Sequence, residues 1–216
     1  MASIVDAFPI IGLRITAGDL VLQGIDDETI VGLIEVARRG VHEPGRMPFL
    51  VPWTETPADE FALRFAQYHW GVRTEFTRDR WRLDLAVRWQ GLLVGTQGFS
   101  THDYLVTRTG ETGSWLGMAY QGRGIGTRMR QAMCAFVFDC LDAQEVTSGA
   151  FMDNPVSHSV SRKVGYRPNG IGRHQRRPGE MAVQQRFILT PADLIRGPEI
   201  TVEGLAPVRR LIGLEG

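Results

Sequence analysis

The sequence predicts a single-domain α/β fold built on a mixed sheet, and three features predict it. Trp81, Leu83, Leu85, Val87 and Trp89 alternate with Arg82, Asp84, Arg88 and Gln90, the period of a strand with one buried face. Ile125, Met129, Ala132, Phe136, Val137 and Cys140 recur at helical spacing directly after a glycine-rich loop. Strands and helices then alternate along 216 residues, a length that suits one generous domain with a sizeable core.

Taken in order, residues 20–25 read as a strand. Asp26, Asp27 and Glu28 open a helix whose acidic first turn suits the macrodipole, with Ile30, Leu33, Ile34 and Ala37 on one face. Residues 40–52 form a loop rich in proline and glycine. Thr56, Pro57 and Asp59 mark a second helix start, with a cap, a proline in the first turn and a carboxylate behind it. Phe61, Phe65, Tyr68 and Val72 give that helix its apolar stripe. Gln90-Gly91 turns the strand 81–89 into another at 92–100. A short apolar strand precedes the glycine loop and the helix after it. A strand at 146–152, a short helix at 155–164 and a strand at 182–189 follow, with 173–179 as a basic turn between the last two. The domain spans 12–190, and 191–216 is a C-terminal appendage. Two glycine/proline breaks make 197–216 irregular, with a short strand at 199–202.

Composition excludes several classes. Lysine plus arginine equals aspartate plus glutamate at 24 each, so no global charge favours nucleic acid or an anionic membrane. No apolar run approaches the ~20 residues of a spanning helix. The N-terminal residues lack a basic segment followed by a long apolar one, so no signal peptide is expected. Cys134 and Cys140 lie too far apart along one helix to bridge, and no Cys/His spacing suits a metal. A cytoplasmic, metal-free protein is the expectation.

The chemistry concentrates in Gly113-Ser-Trp-Leu-Gly-Met-Ala-Tyr-Gln-Gly-Arg-Gly-Ile-Gly126. Glycines at 122, 124 and 126 leave no Cβ between the loop amides and a ligand, and the helix start supplies unpaired N–H groups, which together make an anion site. Gly126 is followed by Thr127 and Arg128, so the lysine of a P-loop is absent, and the Gly-x-Gly-x-x-Gly spacing of a dinucleotide site is not met. What remains, Gln121-x-x-Gly124-x-Gly126, resembles the pyrophosphate loop of the GNAT superfamily of N-acetyltransferases. A second motif, Asn154-Pro-Val-Ser157-His-Ser-Val160-Ser-Arg-Lys163-Val-Gly165-Tyr166, is similar to a segment of the branch that acetylates ribosomal-protein N-termini (RimJ/RimL-like). Gly113-Ser-Trp-Leu116 stands where that branch has Gly-Tyr-Trp-Leu. The resemblance covers roughly 12–190.

The resemblance implies a mostly antiparallel twisted sheet flanked by helices, and acetyl-CoA or another acyl-CoA as co-substrate. It implies direct acyl transfer to a primary amine in a ternary complex. The strand backbone at Leu116, Gly117 and Met118 pairs with the pantetheine arm. The amides of Gln121, Gly122, Arg123, Gly124, Ile125, Gly126 and Thr127 hold the pyrophosphate. Arg123, Arg128 and Arg130 either add charge there or are solvated. Asn154 bonds the cofactor arm and Ser157 sits near the thioester sulfur as acid; alternatively they are a helix cap and a first-turn residue. Ser161 stands where other branches carry a tyrosine acid, so Ser157 or a water inherits that task. Glu111 is the first candidate base, then His102 and Asp103 at the preceding strand end; a water chain is the other route.

The acceptor side falls in 41–54, where Trp53 is either an aromatic lid or packing against the sheet. His42 and Arg46 are placed to meet a carboxylate on the substrate or on a succinyl donor. The acceptor is a small-molecule or protein amine, and pairing of strand 199–202 between copies would give a homo-oligomer. Two rival readings stand beside the enzyme: a catalytically weak CoA-binding regulatory module, and a nucleotide-dependent enzyme.

Overall fold

The computed structural model describes residues 3–214. Its strands are β1 (Arg14–Ala17), β2 (Leu20–Gly24), β3 (Arg80–Trp89), β4 (Leu92–His102), β5 (Thr109–Leu116), β6 (Glu145–Phe151), β7 (Arg167–Arg177), β8 (Glu180–Leu189) and β9 (Thr201–Glu203). They form one open sheet in the order β7-β8-β6-β5-β4-β3-β2-β1-β9. Every neighbouring pair is antiparallel except β5–β6. The helices are α1 (Ile4–Ala7), α2 (Asp27–Arg38), α3 (Ala58–Thr74), α4 (Tyr104–Thr107), α5 (Ile125–Leu141), α6 (Pro155–Val164) and α7 (Leu205–Leu211).

Alternation in β3 sorts the two faces. Trp81, Leu83, Leu85 and Val87 enter the main core with Ile125, Met129, Met133, Phe136 and Val137 of α5. Ala86, between two of them, belongs to a second core with Ile30, Leu33, Ile34 and Ala37 of α2 and Phe61 and Phe65 of α3. Helices therefore cover both faces of the sheet, each burying one apolar stripe. Asp26 starts α2 by accepting the Thr29 amide proton at 2.8 Å, and Asp27 and Glu28 follow in the first turn.

Four local expectations change. Pro57 is itself the N-cap of α3, and the Thr56 hydroxyl instead donates to Trp53 O at 2.9 Å, closing the preceding turn. Residues 173–177 are not a turn but the end of β7, paired with β8. Their cations have local acids: Arg177 pairs with Glu55 (2.6 Å) and Glu180 (3.0 Å), and Arg176 with Asp153 (2.7 Å) and Glu180. Charge compensation lets a basic run lie in a hairpin. The tail is not irregular. β9 pairs with β1 inside the chain, and Val208, Ile212 and Leu214 are buried in the main core. The strand expected for pairing between copies is thus already paired on one edge with its own chain.

Candidate active site

β5 and β6 run parallel only from Thr109/Glu145 to Glu111/Thr147 and then separate. Beyond Glu111, the β5 edge that faces β6 has no strand partner, while its other edge stays paired with β4 as far as Leu116. A cleft of about 520 Å³ opens in this splay, within the range of small-molecule sites. It is lined by Glu111 to Leu116 of β5, by Gly126, Met129 and Arg130 of α5, and by Asn154, Ser157 and Val160. The opposite wall carries His42, Arg46, Met47 and Phe49.

The glycine loop leads from this cleft into α5. Gly122 and Gly124 have φ of +73° and +76°, a region that L side chains avoid, and nothing lies within 4 Å of where a Cβ would project. Gly124 is the N-cap of the 17-residue α5 and no side chain caps the helix. Its first N–H groups are left for a ligand, at the positive end of the dipole. An open anion cradle at the mouth of a strand splay suits an extended ligand with phosphates at one end.

The family model described as acetyltransferase (GNAT) domain matches residues 20–167, well over half of the chain. The chain belongs to the GNAT acetyltransferase family. Solved structures share the fold at low identity. Mycobacterium smegmatis RimJ, solved with CoA-disulfide, is 16% identical with a TM-score of 0.68, over 86% of this chain and 88% of that one. RimL, a ribosomal α-N-protein acetyltransferase solved with coenzyme A, is 15% identical with a TM-score of 0.64, over 81% and 95%. The self-immunity acetyltransferase MccE, solved with acetyl-CoA and AMP, is 16% identical with a TM-score of 0.62, over 80% and 93%.

Within this GNAT domain the structure redistributes the expected residues. Gln121 does not face the cradle with its amide: Nε2 donates to Val41 O (2.7 Å) and Leu116 O (2.9 Å), tying the loop to its surroundings. Gly117 N and Met118 N are also satisfied internally, by Val94 O and Gly40 O, each at 2.9 Å. Of 116–118 only Leu116 lines the cleft, so the backbone left without a strand partner lies earlier in β5, past Thr112, whose O accepts from Ser148 Oγ at 3.4 Å. Of the three arginines, Arg128 is paired with Asp19 at 2.5 Å and Arg130 is buried against the cleft, away from the loop's exposed side. Arg123 lies over the Trp89 ring at 5.8 Å. Ile125 is fully buried and contributes to the cradle only through its amide.

Asn154 caps α6, its Oδ1 accepting the Ser157 amide proton at 3.1 Å, and Pro155 begins the helix. Both Asn154 and Ser157 nevertheless line the cleft, so capping places them at its wall. Ser161 is fully buried and does not line the cleft itself; its Oγ accepts from Arg130, which does. Glu111 lines the cleft and is exposed. Water reaches it, yet the surrounding protein strips enough solvent to push its carboxyl above the ordinary value, while Arg186, His174, Arg130 and Arg82 pull the other way. His102 and Asp103 do not line the cleft. Strand β4 runs two residues past the Ser100/Glu111 pair, which puts both beyond the cleft, and Asp103 caps α4 in a left-handed conformation (φ 51°).

Trp53 is packing, not a lid. It sits among Phe49, Phe61, Phe65 and Trp115 at centroid distances of 5.2–6.2 Å, behind the cleft wall. His42 lines the cleft but both ring nitrogens are engaged, with Glu43 O (3.0 Å) and Thr54 Oγ1 (2.7 Å). Arg46 is exposed at the cleft wall. The sequence reading missed Thr112, Phe49, Val160 and Arg176 as lining residues, because facing across a splay leaves no periodic trace. Arg130 did leave one, a charge beside the buried face of α5.

Proposed function

We propose that this chain is an acyl-CoA-dependent N-acyltransferase that moves an acetyl group to a primary amine in a ternary complex. One observation carries the reading: the β5/β6 splay ends at an uncapped, glycine-lined helix start. A strand edge without a partner offers backbone donors and acceptors to an amide-bearing arm, and the cradle offers amides to its phosphates. The amides at 122–127 hold the pyrophosphate with Arg123 beside it. Glu111, raised by desolvation, accepts the proton of the attacking amine directly or through a water. Ser157 offers its hydroxyl to the leaving sulfur from the first turn of α6. Orientation of amine and thioester in the cleft supplies much of the remaining rate.

The acceptor is a small-molecule or protein amine, and the likeness to RimJ and RimL favours the amino group of a protein. Arg46 at the cleft wall keeps a succinyl donor in view, since a guanidinium pairs with a carboxylate in a two-pronged geometry. Calorimetry with CoA tests the site, and thiol release from acetyl-CoA and succinyl-CoA with an amine panel tests the reaction. CoA binding with thiol release identifies the enzyme and its donor. Binding without release from either donor would leave a CoA-responsive regulatory module, and no binding would overturn the reading.

A further inference from the structure

One charged side chain in the cleft has no part in the mechanism above. Arg130 stands in the second turn of α5, is 5% exposed and lines the cleft. Its Nη2 donates to Ser114 Oγ of β5 at 3.0 Å. Its Nη1 donates to Ser148 Oγ of β6 at 3.3 Å and to Ser161 Oγ of α6 at 3.4 Å. The Nε atom is buried without a partner. Among the described residues Arg130 makes no ion pair, and only hydroxyls hold it. The guanidinium therefore bridges β5 and β6 just past the point where they stop pairing, at the base of the splay.

A buried cation without a counter-charge is costly, and a site that needed only packing would carry an apolar side chain, as Met129 and Met133 do nearby. The other titratable groups that sense Arg130 offer it little. Burial holds the Cys134 thiol (pushed up to about 11) and the Tyr166 hydroxyl in their neutral forms, and Glu111, whose carboxyl feels the Arg130 charge, makes no hydrogen bond or ion pair with it. The charge is left facing whatever enters the splay. Ser114 Oγ accepts from Arg130, which leaves its own O–H free to donate, and Ser114 lines the cleft.

Resting on the acyl-CoA reading, we propose that Arg130 is a positioning residue whose fixed charge, acting through the Ser114 hydroxyl, stabilises the CoA thiolate as it leaves. The amine nitrogen bonds to the carbonyl carbon, the C–S bond breaks and its electron pair goes to sulfur. The amine proton passes to Glu111 or water. The sulfur keeps its negative charge against the Ser114 donor and the guanidinium until solvent protonates it. A guanidinium does not give up its proton in this range, so the contribution is electrostatic and costs no reorganisation. The thiolate is stabilised where it forms, alongside the Ser157 hydroxyl, with less need of protonation.

The test is the ionisation of the CoA thiol in the binary complex, followed by thiolate ultraviolet absorbance against pH. Wild-type protein is compared with Arg130→Met, Arg130→Lys and Ser114→Ala. Bound thiol should ionise about one pH unit lower in wild type than in Arg130→Met, a tenfold difference, with Arg130→Lys between them. In turnover, Arg130→Met should lower kcat about 10–10²-fold with the KM for acyl-CoA changed less than about twofold. Methionine replaces a costly buried charge, so the variant is expected to fold. Should it not, Ser114→Ala must raise the thiol pKa in the same direction. Equal thiol ionisation in wild type and the folded variants overturns the proposal. So does a variant that loses only succinyl-CoA affinity, which would make Arg130 a carboxylate receptor. Failure of the wild type to bind CoA overturns the acyl-CoA reading and this inference with it.

Discussion

At the scale of single residues, burial and capping decide which polar groups can act. Glu111 has a folded-state pKa above its unfolded value, so its protonated form is favoured by folding. That stability is complete below the unfolded pKa and is lost as pH rises through the folded one. Glu111→Gln should therefore gain melting temperature relative to wild type on going from acidic to neutral pH, with no difference at the acid end. The same substitution should remove the acid limb of the kcat/KM profile, and persistence of that limb would assign the base elsewhere. Asn154 and Ser157 separate by a second comparison. Asn154→Ala removes a cap worth about 1 kcal/mol and should lower both stability and CoA affinity. Ser157→Ala leaves the cap in place and should lower kcat by up to ~10²-fold with CoA affinity nearly unchanged. Equal stability losses with normal turnover in both would reduce the pair to helix capping.

At the scale of the element, the loop and α5 show why similar glycines do different things. Gly122 and Gly124 need their positive φ, so any side chain there strains the backbone whether or not a ligand binds. Gly126 needs no such angle. A Cβ there would meet Val160 Cγ2 at 3.7 Å and Leu116 Cδ1 at 3.8 Å, ordinary contacts. Gly126→Ala should thus keep the melting temperature, or raise it slightly through helix propensity, while weakening CoA if a phosphate approaches this amide. Calorimetry reads it directly: at least about a tenfold loss is expected, and unchanged affinity would move the pyrophosphate off the helix start. The motif Asn154 to Gly165 is likewise an element with two roles, a well-capped helix and a cleft wall.

At the scale of the whole molecule, the sheet is closed at one end by the tail. β9 covers the β1 edge, and Val208, Ile212 and Leu214 fill the main core beneath it. Removing the chain from residue 197 onward would uncover that edge and delete three buried side chains, each worth roughly 1.5–3 kcal/mol. A loss of several kcal/mol in denaturant unfolding, or an insoluble product, is expected. A truncated chain as stable as the full one would return the tail to the status of an appendage.

The sequence by itself determined the fold class and the glycine loop that opens α5. Period-two alternation in 81–89, the helical stripe of α5 and the glycines of 122–126 are local patterns, set by residues a few positions apart. It also determined the second motif, because a helix cap and the cleft wall it builds lie within one short segment. Only the tertiary structure decided what depends on residues distant in the chain. Trp53 is packing because α3 and β5 bring Phe65 and Trp115 against it. His42 is engaged because Thr54 folds back to it. His102 lies outside the site because β4 runs two residues past the Ser100/Glu111 pair. Arg130 faces a splay that exists only where β5 and β6 part. Local patterns fix elements through short-range sterics and hydrogen bonds, whereas a site is made by which elements meet, and no spacing along the chain encodes that.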